Sequence, residues 1–99
     1  MSVKGIEDVL GDKTKLRIIS FLLSSGSANI TRIVEEARSN YARVKRHLDE
    51  LESMGIVRQE RLGRLRVYHI NREHPVVKAL EKLQRLGAGD ESGLQAENG

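Results

Sequence analysis

The 99-residue chain has no cysteine, one proline and three aromatic residues, and these scarcities exclude several classes of protein. Without cysteine there is no disulfide scaffold, no thiolate metal site and no cysteine nucleophile. Phe21, Tyr41 and Tyr68 are too few and too scattered to form the base-stacking platform of a single-strand nucleic-acid binder. No apolar run approaches the roughly 20 residues of a membrane span, and no signal-peptide pattern opens the chain. We therefore expect a cytoplasmic protein with no membrane partner.

Sequence motifs of catalysis are also lacking. The chain has no Gly-rich phosphate loop with a lysine, no HExxH pair, no nucleophile elbow and no convincing carboxylate pair. His47, His69 and His74 fall on different predicted elements, so they give no obvious metal site. We expect a protein that is not an enzyme and has no catalytic residue, cofactor or metal. The sequence does not identify any small-molecule effector.

The composition changes sharply near residue 87. Residues 87–99 read GAGDESGLQAENG and contain a single large apolar residue, Leu94. Such a segment cannot bury enough apolar surface to offset the entropy lost on ordering. We predict one folded domain over residues 1–86, followed by a disordered acidic tail over residues 87–99.

The net charge is unevenly distributed. The whole chain carries +3, but the last 13 residues hold three acidic and no basic side chains, so residues 1–86 carry +6. Residues 38–72 alone hold nine basic and four acidic groups, a net charge of +5. A concentrated positive region of this kind is typical of proteins that contact phosphate groups.

The first half of the chain shows helical periodicity. Residues 3–10 predict a short helix, and Asp12 is a plausible N-cap for a second helix over residues 13–24, with Lys15 on its solvent face. The serine- and glycine-rich residues 24–27 predict a turn.

Two helices with a short connection follow. Asn29 or Thr31 can cap the first, and Ser39 or Asn40 can cap the second, which we expect over residues 41–54. About three residues separate the two helices, which is the spacing of a helix-turn-helix motif.

The periodicity then changes to that of strands. Residues 56–61 and 65–71 predict a hairpin that turns at Gly63, and Pro75 suits the first position of a last helix. The expected fold is mainly α with a small two-stranded β-hairpin, an α+β arrangement in which the hairpin packs on the helices.

The stretch from Asp12 to Leu86 resembles the winged helix-turn-helix domain of ArsR-type transcription regulators of bacteria and archaea. Four segments carry the resemblance: KTKLRIISFLL from residue 13, ITRIVEEA from residue 30, VKRHLDELESMGIV from residue 44 and GRLRVY from residue 63. The resemblance covers about three quarters of the chain. It implies that the first and last helices form a two-fold dimer interface.

Helix 41–54 is the candidate recognition helix, because Val44, Leu48 and Leu51 share one apolar face and leave its basic residues on other faces. An α-helix fits the major groove, where arginine can pair with guanine and asparagine with adenine. The candidate DNA contacts on this helix are Asn40, Tyr41, Arg43, Lys45 and Arg46. Phosphate contact is an alternative for Lys45 and Arg46, capping explains Asn40 equally well, and Tyr41 could instead pack on the preceding helix.

The hairpin is the candidate wing. Arg61, Arg64 and Arg66 surround its tip and suit the DNA backbone or a narrow minor groove. Leu62 and Leu65 are unusual for an exposed tip, and either pack back on the sheet or mark a protein contact. Thr31 and Arg32, at the start of the preceding helix, are further phosphate candidates, although a simple cap explains them as well.

The terminal helices carry more apolar residues than one small domain needs. The candidate homodimer interface consists of Val3, Ile6, Leu10, Val76, Val77, Leu80, Leu83 and Leu86. A two-fold dimer places two recognition helices about 34 Å apart on one face of DNA. A monomer whose last helix closes its own core is the alternative.

The leading hypothesis is a dimeric transcription regulator, a repressor acting at the nucleoid, that binds double-stranded DNA in a sequence-specific way. One alternative is an architectural or plasmid-partition protein that coats DNA. Another is a winged-helix protein-interaction module without nucleic acid, which would not need the basic residues of the helix and the wing.

Overall fold

The computed structural model describes the backbone of residues 6–98 and the side chains of residues 7–87. Within that part of the chain the elements follow one another as α1 (Ile6–Leu10), α2 (Lys13–Ser25), β1 (Ser27–Asn29), α3 (Ile30–Ala37), α4 (Tyr41–Ser53), β2 (Val57–Leu62), β3 (Leu65–Ile70) and α5 (Pro75–Asn98). The mainly helical fold with a helix-turn-helix and a wing is confirmed.

The sheet has three strands, where the sequence predicts two. All pairings are antiparallel and the strand order is β1-β3-β2. The additional strand, β1, has only three residues and lies where we predict the end of a turn and a helix cap. Its residues, Ser-Ala-Asn, carry no apolar alternation, so its pairing with β3 depends on tertiary contacts that the local pattern does not reveal.

Short polar side chains determine where three of the helices begin. Asp12, Asn29 and Asn40 each accept a hydrogen bond from the backbone N–H three residues later, at 3.0, 2.9 and 2.8 Å respectively. The N-cap of α2 is therefore confirmed. Of the two pairs of alternatives, Asn29 caps α3 and Asn40 caps α4, while Thr31 and Ser39 do not.

One apolar core joins all the elements. Helix α4 contributes Val44, Leu48 and Leu51, which are fully buried, and β3 contributes Tyr68 and Ile70. The expectation that Lys15 faces solvent is wrong, because its side chain is only 8% exposed and its Nζ lies 3.1 Å from Glu50 Oε1 on α4. A lysine can bury its methylene stem along the apolar face of a helix when its ammonium group reaches an acidic partner.

Helix α5 begins at Pro75, as predicted, and His74 precedes it. The Nδ1 of His74 accepts a hydrogen bond from the N–H of Val76 at 3.0 Å, which satisfies one of the donors at the helix start. The backbone helix continues to Asn98, past the predicted domain boundary at residue 86. The division into a folded domain and an acidic tail stays a prediction, since the side chains beyond residue 87 lie outside the described part.

Candidate nucleic-acid interface

The exposed face of α4 carries two arginines. Arg43 and Arg46 point to solvent, whereas Val44 and Leu48 lie in the core. This separation follows from the helical period, because residues three and four apart share a face. Neither guanidinium forms an ion pair with any other residue in the described part of the chain. Both are therefore available to a ligand.

The other candidates on α4 differ from these two arginines. Lys45 is half-buried, and its Nζ lies 2.7 Å from Asp49 Oδ1, one turn along the helix. Asn40 is exposed but uses Oδ1 to cap the helix. Tyr41 is 52% exposed and so is not packed into the core. Among the five predicted contacts on this helix, only Arg43, Arg46 and Tyr41 present side chains with no such internal role.

The register of the hairpin fixes which wing residues share a face. Arg61 lies opposite Arg66, and the next pair on the same face joins Gln59 to Tyr68. Tyr68 is buried and donates a hydrogen bond to Gln59 Oε1 at 3.2 Å, so this is the face that meets the core. Arg61 and Arg66 therefore continue the inner face of the wing toward its tip.

Burial is the main cause that raises the pKa of Tyr68, and the nearby charges of Lys45 and Arg66 partly oppose it. Tyr68 thus lies where the charged groups of α4 meet those of the wing. Charged residues of the two predicted DNA-contacting elements are therefore close in the structure, although Lys45 and Arg66 are 21 positions apart in the sequence.

The tip of the wing is a two-residue turn, Gly63-Arg64, between Leu62 and Leu65. Gly63 has φ +63°, a conformation that glycine adopts without steric cost, and a glycine at the first turn position suits the tight turns of β-hairpins. Arg64 is exposed at the point of the hairpin farthest from the core.

The start of α3 is less available for contact with a phosphate group. Thr31 and Arg32 are exposed, but the guanidinium of Arg32 lies 3.1 Å from Glu36 Oε2 and 5.6 Å from the centre of the Phe21 ring. Arg32 thus has an acidic and an aromatic partner within its own chain. Contact of this helix end with phosphate stays a prediction.

A polar network connects α4 to the start of α2, and sequence reasoning missed it. His47 is buried, its Nε2 lies 3.5 Å from Asp12 Oδ2, and its Nδ1 lies 3.4 Å from Glu50 Oε1. Lys15 completes the network through its ion pair with Glu50. The spacing of His47 and Glu50 indicates their local pairing, but the links to α2 are tertiary contacts. The network fixes α4 against α2.

This polar network changes the pKa of the Asp12 carboxyl group. Burial by itself would raise its pKa, but the hydrogen bond from the Lys15 N–H and the neighbouring His47 ring outweigh burial, so the pKa is lowered below its usual 3.8.

In the part of the chain that the structure describes, no group of three His, Cys, Asp or Glu side chains is arranged to hold a metal ion. The same part contains no helix long and apolar enough to cross a membrane.

The predicted dimer residues fall into three groups. Leu10, Leu83 and Leu86 are 48, 54 and 53% exposed, and Val76 is half-buried. Val77 and Leu80 are buried in the chain's own core and are left out of the proposed interface. The side chains of Val3 and Ile6 lie outside the described residues. A largely apolar cavity of about 260 Å³ lies between α2 and α5, beside Leu83.

Comparisons with known proteins bear on the family and the fold. Residues 12–59 match the model of the arsR family of bacterial regulatory proteins. An uncharacterised HTH-type transcriptional regulator of Methanocaldococcus jannaschii is 29% identical over 75 residues, covering 74% of this chain and 84% of that protein.

Two solved structures are similar in fold. The AntR antimony-specific transcriptional repressor is 26% identical, with a TM-score of 0.67, and the match covers 95% of this chain and 78% of that chain. The homodimeric winged helix-turn-helix DNA-binding domain of a possible ArsR-family regulator from Mycobacterium bovis is 23% identical, with a TM-score of 0.67. That match covers 87% of this chain and 77% of the other and supports the fold.

The matched residues 12–59 span α2 through α4 and the start of β2, the elements that hold Arg43 and Arg46. The family and these relatives are transcription regulators and not enzymes. The chain has a winged helix-turn-helix fold, and its residues 12–59 form a helix-turn-helix domain that matches the arsR family of bacterial regulatory proteins.

Proposed function

We propose that this regulator binds double-stranded DNA in a sequence-specific manner as a homodimer and acts as a repressor at the nucleoid. The observation that carries the proposal is the pair of exposed arginines on α4, Arg43 and Arg46, which have no ion-pair partner among the described residues. An arginine on the first turns of a recognition helix reaches base edges in the major groove, where it pairs with guanine O6 and N7.

The wing supplies contacts of a different kind. Arg61, Arg64 and Arg66 lie around a tip that has no acidic residue between positions 61 and 66. Guanidinium groups in this position suit phosphate oxygens or a narrow minor groove, where the potential is most negative. We assign base recognition to Arg43, with Arg46 beside it on base edges or phosphate, and sequence-independent attraction to the wing. Lys45, Asn40 and Arg32 have secondary roles, because each already has a partner in its own chain.

The dimer proposal depends on the exposed leucines of α1 and α5. Leu10, Leu83 and Leu86 are each about half exposed, and large apolar side chains left in solvent can mark a contact with a partner. The Mycobacterium bovis domain of the same fold is homodimeric. A two-fold arrangement of this kind would present two α4 helices to successive turns of one DNA face. The role as a repressor is supported by the AntR repressor, which has a similar fold.

Selection of bound sequences from random duplexes, followed by footprinting of the best one, tests the proposal. We expect an inverted repeat whose half-sites are one helical turn apart, and a protected region that stays short as protein concentration rises. A pool that shows no enrichment after several rounds would contradict sequence-specific binding. Protection that spreads outward with protein concentration would favour the alternative of a DNA-coating protein.

A further inference from the structure

The wing has a second face that the proposed DNA contacts do not use. Side chains alternate along a strand, so the residues that neighbour the inner-face pairs point the other way. We call this second surface the outer wing face, and it consists of Arg58, Glu60, Leu62, Leu65, Val67 and His69. Its composition differs from that of the inner face and of the turn, where the charged residues are all arginines.

The apolar part of the outer wing face lies at the tip. Leu62 and Leu65 are paired across the two strands and are 52 and 54% exposed. Val67 lies one pair further in and is half-buried. The leucines therefore do not pack back on the core, which leaves a protein contact as the remaining alternative from the sequence. Adjoining apolar side chains in solvent differ from the scattered single ones of an ordinary surface and can mark a contact with a partner.

The charges of the outer wing face have both signs. Glu60 Oε1 lies 2.7 Å from His69 Nε2, and Arg58 is the cross-strand partner of His69. An acidic group on this face disfavours contact with a polyanion, whereas Arg61, Arg64 and Arg66 on the inner face and the turn favour it. The two faces of the wing therefore suit different partners.

We propose that the outer wing face is a contact between copies of this chain that are bound side by side on DNA. A two-fold contact places one patch against an identical patch, so the patch must complement itself. The outer wing face meets this condition, because its apolar tip can pack on itself while Arg58 and Glu60, further from the tip, provide opposite charges. The proposal rests on the DNA binding proposed above.

The size of the patch determines when the contact forms. Three apolar side chains and a few polar ones fall far below the roughly 800 Å² per partner of a stable complex. Copies in free solution therefore do not associate through it. Once DNA holds two copies at neighbouring sites, their effective concentration is high enough for a weak contact to act. The expected result is cooperative occupancy of adjacent sites.

The test compares duplexes with one selected site and with two, the spacing between the two varied in single base pairs over three helical turns. Gel-shift titration gives the one-site affinity and the cooperativity factor for the second site. For the wild-type chain we expect a factor of about 10, equivalent to about 1.4 kcal/mol, at spacings that align the two wings. The variant Leu62→Ser/Leu65→Ser should keep its one-site affinity within about twofold, and its factor should fall to about 1.

Two further variants separate the faces. Arg61→Ser, on the inner face, should weaken one-site binding and leave the cooperativity factor unchanged. Arg58→Glu should reduce the factor, and Arg58→Glu/Glu60→Arg should restore it, since the charges are then exchanged on both copies. Circular dichroism and the urea midpoint confirm that each variant is folded.

Three results would overturn the proposal. A wild-type factor near 1 at every spacing means that the copies do not touch. An unchanged factor in the leucine variant means that they touch elsewhere, and the outer wing face then serves another partner. A loss of one-site affinity in the leucine variant means that the leucines contact DNA itself. Absence of any duplex binding at low salt would overturn the proposed function first, and the one-site titration detects this before the second site is scored.

Discussion

Single residues with short polar side chains fix the starts of the helices that carry the candidate DNA interface. Asp12, Asn29 and Asn40 are recognisable as N-cap candidates in the sequence, because an acceptor directly before a helical pattern predicts this role. Lys15 and His47 are not recognisable in the same way. Their burial depends on Glu50 and Asp12 being brought together by the packing of α2 on α4.

Asp12 gives a prediction about stability. Replacing it with alanine removes the cap of α2 and one carboxylate beside His47, so Asp12→Ala should lower the free energy of unfolding by about 1 kcal/mol. Asp12→Asn is the matched control, because it keeps the capping oxygen but removes the charge. Urea unfolding at pH 7 should therefore rank the stability as wild type, then the asparagine variant, then the alanine variant. Equal stability of all three would contradict the assigned role.

The same residue predicts a pH effect. The folded state lowers the pKa of Asp12 below its usual 3.8, so the contribution of its carboxylate to stability is complete above about pH 4. That contribution is lost as the pH falls through the lower, folded-state pKa. In Asp12→Asn this part of the acid dependence should be missing. Urea midpoints measured between pH 2 and pH 6 would show the two curves converging at the acid end; parallel curves would refute the effect.

Substitutions of Arg43 and of Arg64 should weaken different kinds of DNA binding. Arg43→Ala should weaken binding to the selected duplex by about 1–3 kcal/mol and relax the preference for its sequence, because a base contact is removed. Arg64→Ala should weaken binding to specific and unrelated duplexes alike and reduce the salt slope by about 1. Fluorescence anisotropy with the two duplexes measures both effects. If Arg43→Ala keeps its sequence preference, α4 is not placed as we propose.

Among the elements, the long periodic helices and the hairpin are predictable from the sequence, and β1 is not. Three residues without an apolar alternation form a strand only because β3 offers them hydrogen-bonding partners. The end of α3 at Ala37 agrees with the predicted three-residue connection, but the conformation of the residue that follows is not predictable. Arg38 adopts a left-handed conformation with φ +55°, at a position where glycine or asparagine is the usual signal.

Alanine substitutions at two glycines test the turn of the wing and the extent of α5. Gly63 has φ +63° with open space around it, so Gly63→Ala should cost about 1 kcal/mol through the backbone alone and should loosen the tip of the wing. Gly87 also has open space but lies within α5 and has no positive φ. Gly87→Ala should therefore stabilise the protein by roughly 0.5–1 kcal/mol if α5 is a helix at that point.

Urea unfolding compares the two variants directly. A stabilising effect at Gly87 supports the continued helix, and no effect supports the predicted boundary of the folded domain near residue 86. A Gly63→Ala variant as stable as the wild type would contradict the turn geometry assigned to the wing.

For the whole molecule, the charge of residues 1–86 is +6, so a dimer of that domain carries about +12. The structure shows that not all of this charge is available. Arg72 donates to Leu23 O at 2.8 Å and lies 2.9 Å from Glu81, so it connects α5 to the core. Lys45 pairs with Asp49. Among the described residues, six basic side chains without an ion-pair partner lie on α4 and the wing: Arg43, Arg46, Arg58, Arg61, Arg64 and Arg66.

The dimer proposal is also tested on the whole molecule. Leu83→Glu/Leu86→Glu introduces four carboxylates into the proposed interface of two copies, so the protein should become monomeric. Its affinity for a palindromic duplex should fall by at least tenfold, while binding to a single half-site stays unchanged. Sedimentation equilibrium together with duplex titration provides both measurements. A wild-type chain that is already monomeric at micromolar concentration, with or without DNA, would contradict the proposal.

The central claim is that the exposed arginines of α4 and of the wing bind duplex DNA. Titration of the selected duplex and of a scrambled one at several salt concentrations tests it most directly. We predict that the logarithm of the affinity falls linearly with the logarithm of salt concentration, with a slope of roughly −3 or steeper, and that the selected duplex binds at least 10³-fold more tightly. Affinity that does not depend on salt, or that is equal for the two duplexes, would contradict the claim.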